Sequence, residues 1–396
     1  MTVQEKVRVE VLQNEACNKI LQLPTSFGKT KLALDLADIE IRKDSNCKVL
    51  IVVPTLILIT NWKDEIHKWE YDKYLNNIIF ITYKSYAKKC IDIDFGLTIF
   101  DEGHHYTERC ADNYKSFVTK KVVVLSATLS QASLDRYICN YGKFYIKEVS
   151  LNAAVRNKVL PKPRVILIPL ELEAKKASQV IVRNPDKGNP TLYAYKDRFK
   201  AFKIKDRKVI IPCTEYQYYE DMDSKIRYLK GMRYSNPKVT NIYLRKCADR
   251  LMWLSNMKTS YTYTILKNLE SHRTLTFCAN IEQSKLFSNN SINCKDGKAT
   301  SIIDKFNKGA INHITACNML DEGANLVNCQ IGVYNVLNSS NRKIIQKIGR
   351  FLRHKEPIII IPYFKDTKEV DIVNKMFDGY SLDLITVLKD INKLEI

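Results

Sequence analysis

From residue 1 to about residue 155, short and nearly continuous apolar runs alternate with amphipathic stretches of helical period. Apolar runs of that length without polar alternation predict strands buried on both faces, as in a parallel sheet covered by helices. The strand candidates are 20–23, 49–53, 78–82, 97–100 and 122–125; segments 29–42 and 61–69 read as helices. The rhythm breaks at 156–163, where two prolines and three basic residues predict a linker. A strand at 165–172 follows, then a stretch at 174–210 in which apolar and basic residues alternate, which predicts a basic hairpin insertion. Residues 214–271 read as mostly helical. From Thr274 the βαβ rhythm resumes, with strands expected at 275–278, 313–316, 331–334 and 358–361. The expected fold class is therefore α/β: two similar parallel-sheet lobes in tandem, 1–155 and 164–396, the second carrying a basic insertion at about 174–212.

Charge sharpens this picture. The chain has 396 residues and carries 63 Lys plus Arg against 43 Asp plus Glu, a net charge of +20, and the 174–210 stretch alone holds eleven basic residues against three aspartates. An excess of this size points to a polyanionic partner. With 45% hydrophobic residues the chain has enough apolar surface for two cores, and it does not read as disordered. The longest apolar run, 49–59, is interrupted by Pro54 and Thr55 and falls short of the roughly 20 residues that cross a bilayer. Without an apolar segment near the N-terminus, the expectation is a cytoplasmic, non-secreted protein that binds no membrane. Eleven cysteines, with no CxxC pair, predict reduced thiols packed in cores and no zinc site.

Two segments carry chemistry. LPTSFGKT, residues 23–30, stands between a strand and a helix, the context a phosphate loop requires. Backbone N–H groups there would cradle phosphate at the helix N-terminus, Lys29 would reach the β and γ oxygens, and the Thr30 hydroxyl would bind Mg²⁺. IFDEGHHY, residues 99–106, follows a second strand, and carboxylates at a strand's C-terminal end face the same crevice. Asp101 would hold Mg²⁺ and Glu102 would polarise the attacking water. His104 and His105 lack the partner ligands a metal site needs.

In this order, LPTSFGKT, VVPTLILITNW, DEGHH, LSATLS, TLTFCANIEQSKLF, TACNMLDEGANL and QKIGRFLR resemble the motifs of superfamily 2 helicases. The likeness is to the DExH branch of type III restriction motor subunits and phage recombination helicases, and it covers residues 1–365 apart from the insertion. It implies two RecA-like lobes that bind ATP and Mg²⁺ in their cleft and track a nucleic acid, DNA rather than RNA. By the same resemblance Pro24, Thr25, Ser26, Phe27, Gly28, Lys29, Thr30, Asp321 and Gly323 contact nucleotide. Lys29, Asp101, Glu102, Gln346, Arg350 and Arg353 form the hydrolytic set. His104, Ser126 and Thr128 couple hydrolysis to movement, His104 through Gln346. Departures from the pattern are Ser26 and Phe27 within the phosphate loop, Lys347 in place of an arginine, and Asn61 before Trp62.

The resemblance also implies that Pro54, Thr55, Thr82, Tyr83 and Asn280 contact a sugar-phosphate backbone, with little sequence preference. Gln4 or Gln13 is a candidate adenine reader, although a surface role is the commoner outcome for a glutamine. Trp62 and Trp69 read as core residues, and the tyrosines between 216 and 234 as packing against the second lobe. The basic insertion is either a duplex-gripping hairpin or a solvated one. The expected protein is a monomeric motor, alone or within a larger replication or recombination assembly.

Overall fold

The computed structural model describes residues 2–183, 203–205, 208–233, 237–293, 298–317, 326–337, 354–377 and 382–396. The first lobe runs α1 (Val3–Gln13), β1 (Lys19–Gln22), α2 (Lys29–Lys43), β2 (Lys48–Val53) and α3 (Leu56–Lys68). It continues through β3 (Ile78–Thr82), α4 (Tyr83–Tyr86), β4 (Phe95–Asp101), α5 (Glu108–Asp112), β5 (Val122–Ser126), α6 (Gln131–Tyr141) and β6 (Tyr145–Glu148) to α7 (Leu151–Arg156). Its strands form one parallel sheet in the order β3-β2-β4-β5-β1-β6. The buried faces explain the unbroken apolar runs: Val49 to Val53 of β2 lie wholly inside, with helices on both sides.

Register decides the site. Gln22 pairs with Ser126, Leu125 with Asp101 and Val53 with Thr82, so the C-terminal ends of the strands share one edge. Loops leaving that edge carry every chemical motif of this lobe.

One face of the sheet rests on an aromatic cluster around Phe100, whose ring centroid lies 5.4 Å from Tyr86, 5.2 Å from Tyr106 and 5.4 Å from Tyr137. Their hydroxyls are satisfied: Tyr86 pairs with Tyr141 at 2.7 Å, and Asn140 donates to Tyr106 at 2.7 Å. Burial pushes these phenols well above the usual tyrosine range, so they stay neutral donors and acceptors.

The segment after α7 leads to β7 (Arg164–Leu170), the first strand of the second sheet. The chain then forms β8 (Gln179–Arg183), β9 (Lys203–Lys205), β10 (Lys208–Cys213) and the helices α8 (Glu215–Met232), α9 (Pro237–Met257) and α10 (Thr259–Lys267). Next come β11 (Thr274–Phe277), α11 (Ile281–Phe287), β12 (Ser291–Ile292), α12 (Ala299–Asn307), β13 (His313–Ala316), β14 (Ile331–Tyr334), β15 (Ile358–Phe364), α13 (Glu369–Met376) and β16 (Ile385–Val387). The second sheet is also parallel, ordered β12-β13-β11-β14-β15-β7-β16. Its β7 pairs with β15 along its full length although nearly 190 residues separate them, and it lies between β15 and β16 in the sheet.

Three features differ from the sequence reading. The insertion is more than a hairpin: β9 and β10 pair antiparallel as expected, and β8 adds a third antiparallel strand on the other side of β10, with Ile181, Ile211 and Cys213 facing inward against Tyr218. The short strands β6, β12 and β16 were not expected; β12 spans two residues and β6 alternates half-buried with exposed positions, too weak a pattern to register. Among the helical tyrosines, Tyr219 is buried and its hydroxyl accepts the Lys368 N–H at 2.7 Å, whereas Tyr228 is largely exposed; Tyr234 lies outside the described residues.

Among the described residues no helix is long and apolar enough to cross a membrane, and no group of side chains could hold a metal by itself. Cys47, Cys110, Cys213, Cys278, Cys317 and Cys329 are buried, while Cys17, Cys90 and Cys139 are exposed.

Truncating Phe100 would leave a void under five aromatic neighbours. Phe100→Ala is expected to destabilise the first lobe by about 3–5 kcal/mol in urea unfolding followed by far-ultraviolet circular dichroism; a loss under about 1 kcal/mol would show that the cluster collapses without cost.

Candidate active site

The phosphate loop follows directly from β1. Pro24 accepts the Phe27 N–H at 3.2 Å, which closes the turn. Ser26 at φ 67° and Gly28 at φ 92° take left-handed backbone conformations, and successive residues of alternating hand form an N–H-lined concavity suited to an anion. Gly28 is favoured there by its left-handed backbone, and a Cβ would meet the Gln4 Nε2 at 2.7 Å and push that side chain off the loop. The bulky Phe27 does not enter the concavity; it is buried in the core. Lys29 and Thr30 open α2, and the Lys29 Nζ donates to the Leu23 carbonyl at 3.1 Å.

Gln4 is not the plain surface glutamine expected. It is solvent-exposed, yet its amide donates to the Phe27 carbonyl at 2.7 Å. Its helix, α1, starts with a capping box between Thr2 and Glu5. It is pinned to α2 by Asp35, which accepts Arg8 Nε at 2.7 Å, the Tyr71 hydroxyl at 2.7 Å and Lys31 Nζ at 2.9 Å. Burial alone would raise the Asp35 carboxyl, but these three donors outweigh it and hold the group below its usual range. Nothing in the sequence flagged Arg8, Asp35 and Tyr71 as one unit, since they meet only across three elements. Gln13 sits at the far end of α1.

Across the sheet edge, β4 ends at Asp101, which is buried. Its Oδ2 accepts the Trp62 indole N–H at 2.8 Å, and its Oδ1 accepts the Glu102 N–H at 3.0 Å. Trp62 is thus a core residue, as expected, but one that also orients the acidic side chain. Trp69 is not core: it caps α3, is partly exposed and donates to Glu65 at 2.8 Å.

Glu102 adopts φ 48°, an unusual conformation for a side-chain-bearing residue, held in place from behind. Tyr83 donates to the Asp101 carbonyl at 2.9 Å and Tyr137 to the Gly103 carbonyl at 2.9 Å. A Cβ on Gly103 would come within 2.2 Å of Val124. Tyr83 therefore corrects an expectation: its ring is buried and its hydroxyl braces the acidic turn, so its side chain is turned away from any strand path.

The two acidic and serine-threonine motifs are wired together. His104 Nδ1 lies 3.4 Å from Glu102 Oε2 and 3.4 Å from Ser126 Oγ. Ser126 in turn donates to the Thr128 carbonyl at 2.8 Å, and its own carbonyl accepts the Leu23 N–H at 3.0 Å. Gln22, at the end of β1, accepts the Leu129 N–H at 3.0 Å. A single chain of contacts thus runs from Glu102 through His104 and Ser126 back to the start of the phosphate loop. Within it, the hydroxyls of Thr25 and Thr128 are buried without a hydrogen-bond partner. An orphaned buried hydroxyl costs about 1–3 kcal/mol, so both oxygens suit an arriving polar ligand. Together with the N–H concavity and the buried carboxylate, they fit a magnesium nucleotide.

The expected strand contacts lie at the starts of helices that follow strand ends. Thr55 is the N-cap of α3 after β2, Thr82 of α4 after β3, and Asn280 of α11 after β11. Pro54 is half-buried and Thr55 exposed. Asn280 accepts the Gln283 N–H at 2.7 Å. Asp321, Gly323, Gln346, Arg350 and Arg353 lie outside the described residues.

Residues 2–131 match the family described as type III restriction enzyme, res subunit. The chain is also similar to the DNA 3'-5' translocase XPB2 of Sulfurisphaera tokodaii, 23% identical over 96% of this chain and 84% of that protein. Its fold resembles the helicase domain of Hef from Pyrococcus furiosus, with TM-score 0.51, 16% identity and coverage of 94% of this chain and 97% of that one. It also resembles Dbp5 of S. cerevisiae bound to RNA and ADP BeF3, with TM-score 0.61, 12% identity and coverage of 98% and 89%. Both solved structures share the tandem α/β lobes described above. The family match lies over the part of the first lobe that carries the phosphate loop and the acidic turn.

Burial, then the charge of Glu102, pushes the Asp101 carboxyl up to about 6 against the opposing pull of Trp62 and Lys29. The unfolded chain would release this proton near 3.8. Between those values the folded protein binds more protons, so this group's contribution to stability falls as pH rises from about 4 to 6. Asp101→Asn keeps an acceptor for Trp62 and removes the buried charge. It is expected to exceed wild-type stability by ~1–3 kcal/mol at pH 7.5 without nucleotide, the advantage vanishing by about pH 4 in denaturant melts. Equal stability at both pH values would show that burial does not disfavour the carboxylate.

Proposed function

We propose that this protein is an ATP-dependent DNA translocase or helicase, coupling Mg-ATP hydrolysis to movement along DNA. One observation carries the reading: Lys29 and Thr30, the Asp101–Glu102 pair and Ser126–Thr128 converge on one sheet edge, linked by hydrogen bonds through His104. A nucleotide's phosphates fit the concavity of residues 24–30, with Lys29 exchanging the Leu23 carbonyl for phosphate oxygens. Magnesium, when bound by Thr30 and Asp101, would neutralise charge on the phosphates. Glu102, half-turned out of the strand line, orients the attacking water, and His104 transmits its position to Ser126. Gln4, seated on the phosphate loop, is placed to report on the base.

The second lobe completes the set in this reading. Asp321 and Gly323 approach the nucleotide, and Gln346, Arg350 and Arg353 act from across the cleft. A guanidinium from the opposite lobe stabilises the charge that develops during phosphoryl transfer only when the lobes close, which turns nucleotide state into lobe position. Pro54, Thr55, Thr82 and Asn280, with the backbone at Tyr83, form the strand path: helix N-termini after strand ends offer N–H groups to phosphates.

DNA rather than RNA is supported by the XPB2 translocase as a relative and by the DEGHH box. Translocation is the core activity; strand separation is its consequence when a duplex blocks the path. The motor acts as a monomer in the cytoplasm, alone or within a recombination or restriction-type assembly.

Lys29→Ala is expected to lower DNA-stimulated phosphate release by at least about 100-fold; wild-type turnover would refute the assignment. Arg350→Ala should lower turnover by about 10³-fold while nucleotide binding, followed by a fluorescent ATP analogue, is kept. Side-by-side ATPase and unwinding assays on fork, duplex, single-stranded DNA and RNA, across a salt series, separate translocation from unwinding and DNA from RNA.

A further inference from the structure

The second lobe holds a buried polar cluster that the hydrolytic reading leaves unused. At the junction between α9 and α10, Ser255 is fully buried, and so are Thr262 and Asn335; Gln283 is 2% exposed. Ser255 Oγ donates to Gln283 Oε1 at 2.9 Å, and the Gln283 amide donates back to the Ser255 carbonyl at 2.9 Å and to Thr259 at 3.0 Å. Asn335 Nδ2 donates to Ser255 Oγ at 2.7 Å, while its Oδ1 accepts the Thr262 hydroxyl at 2.7 Å. Gln283 Oε1 also takes the Ala279 N–H at 3.2 Å, and the Gln283 N–H binds Asn280 Oδ1. One turn later, Lys258 is sealed from solvent and donates to Glu369 at 2.6 Å and to the Pro362 carbonyl at 3.3 Å.

These partners are not scattered. Asn280 follows β11, Asn335 follows β14 and Pro362 lies in the C-terminal half of β15, three adjacent strands of the sheet. The α9–α10 junction is therefore bolted to the C-terminal ends of all three. Asn280 is the expected strand contact of this lobe, and the chain leaving Asn335 leads in sequence towards Gln346, Arg350 and Arg353. The same junction ends α9, whose Trp253 packs at a tilt against Tyr218 with ring centroids 5.3 Å apart; Tyr218 in turn packs under the basic three-stranded sheet. Arg250 of α9 binds Asp223 of α8.

A fully satisfied buried network has one low-energy arrangement and transmits displacement instead of absorbing it. An all-apolar junction would pack as well and would let the strand ends shift independently. We propose that Ser255, Thr262, Gln283 and Asn335 are positioning residues that tie the DNA contact at Asn280 and the described strands of the basic insertion to the ends of β14 and β15, so that DNA engagement raises ATP turnover. The proposal rests on the motor reading above. It assigns the insertion a part in coupling, in addition to any charge-based affinity.

Thr262→Val is nearly isosteric and removes only the hydroxyl that orients Asn335; Thr262→Ser keeps it. With full-length protein, ATP hydrolysis is measured without DNA and with saturating single-stranded DNA, and DNA affinity by fluorescence anisotropy. The expected result for Thr262→Val is unchanged DNA-free turnover and unchanged affinity, with the DNA-stimulated kcat lowered at least fivefold; Thr262→Ser retains stimulation. Ser255→Ala should reproduce the Thr262→Val effect. Wild-type stimulation in both Thr262→Val and Ser255→Ala would overturn the proposal. So would a parallel fall of basal and stimulated turnover with a lowered Tm, which marks a purely structural network. A wild-type protein that DNA does not stimulate at all would instead sink the motor reading, which keeps the two failures distinct.

Discussion

The first lobe depends on a buried negative charge. Asp101 sits at the end of a strand whose other residues, Thr98 apart, are apolar, and the folded protein tolerates a carboxylate there only because the Trp62 indole and the Glu102 amide point at it and Lys29 lies nearby. Much of the surrounding architecture holds those donors in place. Tyr83 and Tyr137 grip the turn after Asp101 from behind, Val124 forbids any side chain at residue 103, and the Phe100 cluster fixes the strand beneath. A buried carboxylate beside a second acidic residue is unfavourable, and the fold carries that strain as a standing cost.

The second lobe solves the complementary problem with neutral groups. Where the first lobe concentrates charge, the α9–α10 junction distributes hydrogen bonds among serine, threonine, asparagine and glutamine, and confines its one buried ion pair to Lys258 and Glu369. Neutral networks specify geometry without the large desolvation penalty of ions, which suits an element whose task is to keep three strand ends in register. The described strands of the insertion form a sheet of their own, so the parallel order of the second lobe is not interrupted.

Sequence pattern was a good guide wherever apolar runs were long. The expected strands at 78–82, 313–316 and 331–334 coincide with β3, β13 and β14, and the other long runs differ only at their ends. It failed for β6, β12 and β16, which are short and lie at or beside the sheet edges, where one-sided exposure erases the apolar run. The phosphate loop, the acidic turn and the SAT segment were legible because each is contiguous and its chemistry is local. Trp62 was read as core without its bond to Asp101, and Tyr83 as a strand contact, since nothing near either residue in the chain reveals which way the ring points.

The sequence by itself determined two parallel-sheet lobes, the candidate phosphate-loop and acidic-turn segments, and a charge balance suited to a polyanion, because periodicity, local motif and net charge are properties of the chain. Only the tertiary structure decided what stands behind those residues. Arg8, Asp35 and Tyr71 seat Gln4 on the phosphate loop, two tyrosines brace Glu102, and Ser255 joins the ends of β11 and β14. Such contacts join residues far apart along the chain, and it is sheet register and helix packing that bring their side chains within reach.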